Sequence, residues 1–288
     1  MINYLELSYQ IFGDFSKSIE KYFVDIKKDM QQANMPYTLR EYLSMMIMTV
    51  AITFFAETVL LSFIFAVIEI PVISSMALAL TLSFVITGIL TLMFYTYPSA
   101  LAKARSKNIE KVMPFATSYM SAISSGKVSI ATLFKTVSQF KDYGDVAEES
   151  ATIARNIELI GMSASASLVK QAEKTPSKKF KELLWGMNAI IASGGNLTFF
   201  LRNKNEEFMS NYRRAIRKYA QDLSVFIEIY LTLIVTGSIF FIVLSAVIST
   251  ISSSLSITNI QFFVVFALLP VISIGFILLV KSISPTEG

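Results

Sequence analysis

The chain has 288 residues, 53% of them hydrophobic and only 16% charged, with a mean hydropathy of +0.57, a composition of membrane proteins rather than of soluble domains. It contains no His and no Cys, which excludes disulfide frameworks, zinc fingers, thiolate nucleophiles, Ser-His-Asp triads and imidazole proton shuttles. A net charge of +4 is too mild to point to nucleic acid, so the placement of the 25 Lys and Arg matters more than their sum.

Residues 1–43 read as a cytoplasmic amphipathic helical segment. Phe12, Phe15, Ile19, Phe23, Ile26 and Met30 recur at helical spacing, as on a helix with one apolar face. That face is expected to pack on the protein's own domain, because the six acids of the segment disfavour an anionic membrane surface. A signal peptide is not expected, since no short apolar core with a small-residue cleavage site is present.

A first transmembrane hairpin is expected over 44–98. Ser44 to Ile68 and Val72 to Tyr97 each exceed the roughly 20 apolar residues that carry a helix across a bilayer. Glu69, Ile70 and Pro71 separate them, and Pro71 cannot extend the preceding helix. Tyr95 and Tyr97 stand where interfacial aromatics belong.

Residues 99–222 predict a cytoplasmic antiparallel bundle of six helices, about 112–125, 129–140, 145–160, 163–174, 176–193 and 196–222. The breakers are Pro114, Gly126, Gly144, Gly161, Pro176 and Gly194-Gly195. Thr175 is the expected N-cap of the fifth helix, with Pro176 at its first position and Gly194 at its stop. Phe180, Leu183, Leu184, Met187, Ile190 and Ile191 form its apolar stripe, as Val146, Ile153, Ile157 and Ile160 do earlier. Trp185 lies off that stripe and predicts a second packing face. The helix at 112–125 is uncharged yet too short to span a bilayer, which predicts the centre of the bundle.

The last bundle helix runs without a breaker into a second transmembrane hairpin, 223–281, made of Leu223 to Ile248 and Ile260 to Val280 with a polar link from Ser249 to Asn259. Arg213, Arg214, Arg217 and Lys218 just before the lipid read as a membrane-edge basic cluster, a headgroup anchor and topology signal. Five bases precede Ser44, nineteen lie in 99–222, Lys281 follows the last span, and the two short connections have none. The middle segment and both termini, including the 282–288 tail, are therefore expected on the cytoplasmic side of the cell membrane. The fold class is all-α: four transmembrane helices in two hairpins flanking a six-helix bundle.

No Walker glycine precedes Gly126-Lys127, and no Gly-x-Gly-x-x-Gly occurs, so no intrinsic ATPase is expected. No catalytic, cofactor-binding or metal residues are expected. Asp142, Asp145, Glu148, Glu149 and Glu158 cluster around Arg155 as a solvated ion-paired surface; Glu148, Glu149, Arg155 and Glu158 are the candidate docking face. Glu57, in mid-span, and Glu228, near a span's start, are candidate intramembrane functional acids, because an ionisable group in hydrocarbon costs a few kcal/mol. The alternative is an ion- or proton-coupled transporter or channel using Glu57 and Glu228.

Several short patterns resemble the type II secretion system F-domain family, the platform proteins of type II secretion, type IV pili, Tad pili and the archaellum. They are Met113-Pro114-Phe115-Ala116 with Met120 to Gly126, Glu148 to Gly161 around Ile153-Ala154-Arg155, and Ala33-Asn34-Met35-Pro36 leading to Glu41-Tyr42-Leu43. Most specific is Thr175-Pro176-Ser177 followed by Phe180, Leu183, Gly186 and Ser193-Gly194-Gly195-Asn196-Leu197, which is similar to archaeal members. The resemblance implies a non-enzymatic platform engaging a hexameric ATPase, with its membrane helices beneath a filament of pilin-like subunits. Many members carry two F-domains and this chain has one bundle, which implies a homodimer or a pair with a second platform protein.

Overall fold

The computed structural model describes residues 4–68, 70–251 and 262–283. Glu69, most of the link from Ser249 to Asn259, the start of the last expected span and residues 284–288 lie outside them. Among the described residues every regular element is helical. Contacts divide the chain into two compact units, Met1–Glu110 with Ser129–Gly195, and Lys111–Val128 with Asn196–Gly288.

The first unit opens with α1 (Tyr4–Ile19), a 3-10 turn at Glu20–Tyr22 and α2 (Val24–Gln32), then α3 (Leu39–Val67). Thr38 starts α3 with a reciprocal capping box: its hydroxyl accepts from the Glu41 N–H at 3.3 Å and its own N–H donates to Glu41 Oε2 at 2.7 Å. Ile26 and Met30 of α2 are buried with Leu39, Tyr42, Leu43 and Met46 of α3. α1 runs antiparallel along α3, because Glu20 pairs with Arg40 at 2.7 Å, Ser16 meets Ser44 at 3.1 Å and Tyr4 meets Thr49 at 2.8 Å. The expected single apolar face is thus split: Ile19, Phe23, Ile26 and Met30 join the α3 core, while Phe15 is exposed. The 3-10 turn resets the helical phase between the two halves.

α4 (Val72–Ser124) is one helix of 53 residues, with Pro98 and Pro114 both inside it. This corrects the separate helix expected at 112–125, which forms the final turns of α4 instead. An internal proline donates no N–H and strands the carbonyl four residues back. For Pro98 that carbonyl belongs to Phe94, and the buried Tyr42 hydroxyl donates to it at 2.8 Å. A side chain from α3 thereby replaces the missing helical bond.

Four shorter helices complete the unit: α5 (Ile130–Ser138), α6 (Asp145–Glu158), α7 (Ala164–Lys174) and α8 (Lys178–Ala192). They match the four expected in this stretch, and α5 packs on α6 as α7 packs on α8. Their side chains Leu133, Phe134, Val146, Ile153, Leu168, Phe180, Leu183, Leu184 and Met187 are buried. The cap of α8 is Ser177, not Thr175: the Ser177 hydroxyl accepts from the Phe180 N–H at 3.2 Å, and Thr175 closes α7 instead. Gly194 stops α8 as expected. Its φ of +67° suits glycine, and the Gly195 N–H to Ile190 carbonyl and Gly194 N–H to Ile191 carbonyl bonds complete a Schellman motif. Ile160 and Trp185 are both exposed, so the second packing face expected at Trp185 is not formed among the described residues.

In the second unit α9 (Leu197–Ile229) begins at Asn196, whose side chain accepts from the Phe199 N–H at 3.0 Å. It continues through a π-helical stretch, Tyr230–Thr236, into α10 (Gly237–Ile251). A second π-helical stretch, Val264–Leu268, leads into α11 (Leu269–Ile283) just before Pro270, where another N–H is missing. Phe115 packs edge-on against Tyr212 at 5.2 Å, and Tyr230 meets Ser273 at 3.0 Å and stacks near Phe276 at 4.5 Å. Among the described residues four helices are long and apolar enough to cross a membrane: Leu39–Val67, Val72–Ser124, Leu197–Ile248 and Val264–Lys281.

Tyr42→Phe, which removes the hydroxyl and keeps the ring, is expected to cost about 1–2 kcal/mol by stranding the Phe94 carbonyl. In a Pro98→Ala background the helix supplies its own N–H and that cost should largely vanish. Thermal unfolding of the four proteins in detergent measures the coupling, and additive effects would refute it.

Candidate functional site

Asp145 and Glu149 stand four residues apart at the start of α6 and therefore share a face. Arg105 of α4 lies against that face. Its Nε is 2.9 Å from Asp145 Oδ1, its Nη2 is 3.3 Å from Glu149 Oε1, and its Nη1 donates to the Gln32 carbonyl at 3.1 Å. That carbonyl belongs to the last turn of α2, whose carbonyls have no partner further along the helix. One guanidinium fork thus serves acceptors from α2 and α6 while itself only 11% exposed.

Glu149 is 2% exposed, and burial pushes its carboxyl above the ordinary range. Gln171, Arg105 and Thr175 pull the other way, in that order, and Asp145 adds repulsion. Both Glu149 oxygens are enclosed and without a hydrogen bond, and Oε1 is held by its ion pair with Arg105. A cavity of about 390 Å³ opens above this acid, with Asn34, Glu148, Thr152, Arg155 and Lys174 among its walls.

Of the expected docking residues, Glu148 and Arg155 share that cavity. Glu149 forms its buried wall instead of a solvated surface, because the pull of Arg105 turns it inward. Glu158 pairs with Lys135 of α5 at 2.8 Å. Arg213, Arg214, Arg217 and Lys218 are all exposed on α9; Arg214 bonds Ser210 at 2.8 Å and also Asn211. Glu57 is half-buried with Oε2 enclosed and without a hydrogen bond, whereas Glu228 is exposed. Among the described residues no group of three or more Asp and Glu is arranged to hold a metal ion. Arg105 escapes a reading of the sequence, where it is one of several charges following Pro98. The Asp145 and Glu149 spacing was the available signal for a cation facing α6.

Residues 116–245 match the family model described as Type II secretion system (T2SS), protein F. The stretch takes in the last turns of α4, all of α5 to α9 and part of α10. An uncharacterized protein of Methanocaldococcus jannaschii is 23% identical over 159 residues, which is 55% of this chain and 27% of that relative. The match thus spans about a quarter of the relative's length. No solved structure matches the chain.

Arg105→Ala leaves two carboxylates and a helix-end carbonyl without their cation, and is expected to cost roughly 3 kcal/mol. Arg105→Lys should recover little, since an ammonium lacks the fork that reaches three acceptors. For Glu149 the folded state holds its proton more tightly than the unfolded chain does. Stability therefore falls as pH rises from the ordinary carboxyl value of about 4.3 through the raised one. Glu149→Gln removes that cost, so its melting temperature relative to wild type should climb from pH 4 to pH 7. A difference that is flat with pH would count against the assignment.

Proposed function

Because residues 116–245 match the family model of type II secretion system protein F, and four helices among the described residues are long and apolar enough to cross a membrane, we propose that the chain is the platform protein of a type IV pilus-like, archaellum or type II secretion machine. Its helical domain engages a cytoplasmic hexameric ATPase, and its membrane helices act on pilin-like subunits. The observation that supports this best is continuity. From Leu197 to Ile251 one uninterrupted helical path leads from the charged part of the family domain, past Arg213, Arg214, Arg217 and Lys218, into an apolar span. A displacement at one end of such a path reaches the other without a hinge.

In this proposal two transmembrane hairpins flank the cytoplasmic bundle, and both termini lie with it, as the one-sided placement of bases suggests. The basic cluster holds α9 at the headgroup level. The protomer pairs with itself or with a second platform protein. Glu148, Arg155 and Glu158 form the ATPase-docking surface, with Glu149 as its internal support. The chain acts by contact and displacement, with the chemistry left to the ATPase.

Deleting the gene is expected to abolish filament assembly while the pilin-like subunits remain in the membrane; normal filaments in the deletion strain would dispose of the proposal. Reversing Glu148, Arg155 and Glu158 together should weaken co-purification with the ATPase at least tenfold without lowering the melting temperature. Unchanged affinity would remove these residues from the docking surface. The enclosed Oε2 of Glu57 keeps one observation on the side of a transporter, for which Glu57→Gln would have to abolish ion flux in proteoliposomes.

A further inference from the structure

α1 divides its circumference into three arcs. Ser8, Phe12, Ser16 and Ile19 share the arc towards α3, with both serines buried. Glu6, Gln10, Asp14 and Lys17 share the far arc and are exposed. Between them Tyr4, Ile11 and Phe15, seven and four residues apart, make a stripe that is 45%, 59% and 59% exposed. Tyr22 in the following turn is exposed as well. A cytoplasmic helix gains nothing from holding such a stripe in water.

The depth of the stripe follows from α3. Its 29 residues make about 43 Å of helix at 1.5 Å per residue, against a hydrocarbon core of about 30 Å. With Val67 at the far edge of that core, the near edge falls about twenty residues earlier, close to Met48. Ser44 is then at headgroup level and Thr49 at the hydrocarbon rim. α1 is clasped to both, Ser16 to Ser44 at 3.1 Å and Tyr4 to Thr49 at 2.8 Å. It therefore lies where headgroups meet acyl chains, its N-terminal end the deeper.

We infer that α1 is an interfacial membrane helix, with lipid as the occupant of its Tyr4, Ile11 and Phe15 stripe. Its two acids and one base, Glu6, Asp14 and Lys17, make it an anionic helix. Apolar area and the clasp to α3 hold it down, not attraction to acidic headgroups. Of the six acids that count against a membrane surface in the sequence, the two on α1, Glu6 and Asp14, are on the arc that faces water.

The chain has no cysteine, so single spin labels can be placed in the full-length protein by Gln10→Cys, Ile11→Cys, Phe15→Cys and Lys17→Cys. In pure phosphatidylcholine vesicles the ratio of oxygen to nickel-chelate collisions should be several-fold higher at 11 and 15 than at 10 and 17, and unchanged in molar salt. Equal ratios at all four positions put the stripe in water and overturn the inference. Low collision rates with both reagents at 11 and 15 mean that protein covers it, which also overturns it. Ile11→Trp in a Trp185→Phe background reads depth without a label: brominated acyl chains should quench its fluorescence, and an unquenched tryptophan contradicts the assignment. Melting temperatures near wild type certify that each variant is folded.

Discussion

Arg105 joins three segments far apart in sequence, and the arrangement of the first unit hangs on it. A guanidinium this enclosed is tolerable only when its charge and its donors are matched, and here two carboxylates of α6 and the carbonyl end of α2 match them. The same bonds position the helices. α2 cannot slide along α4 without uncapping Gln32, and α6 cannot rotate without exposing Glu149 to an unpaired burial. The cavity with Glu148 and Arg155 on its walls exists because this clasp draws α6 and the α2 end together.

A second constraint acts nearer the membrane. Hydrocarbon offers no water to stranded carbonyls, so a proline inside a membrane-proximal helix needs a substitute donor. Tyr42 is that donor for the carbonyl freed by Pro98, and the exchange ties α3 to α4. α4 continues through Pro98 as one helix of 53 residues. The second unit has its own continuous path, α9 through α10, with a π-helical stretch where it turns apolar. Long unbroken helices suit a protein whose proposed work is to pass displacement between a cytoplasmic motor and the membrane.

Polar chemistry is accordingly spent on position. The buried ions, the caps at Thr38, Ser177 and Asn196, and the Schellman turn at Gly194 all fix helix ends and rotations. The family patterns around Thr175-Pro176-Ser177 and Ser193 to Asn196 are these same caps. Ser177 and Asn196 accept from the first turns of α8 and α9, while Gly194 takes the left-handed conformation between them.

What the sequence determined by itself is local and periodic. The four apolar runs, the helices α5 to α8, the stop at Gly194 and the apolar stripe from Phe180 to Met187 follow from spacing and from residues whose backbone preferences leave few choices. Whether a proline breaks a helix, whether an acid faces water and which flank of α1 is left uncovered depended on partners distant in the chain. Pro98 is accommodated because Tyr42 reaches it, Glu149 is internal because Arg105 is there, and Phe15 is outside because the turn at Glu20–Tyr22 rotates α1 out of phase with α2. A hydrogen bond or ion pair between segments carries no periodic trace in either one, so only the tertiary structure decided these points.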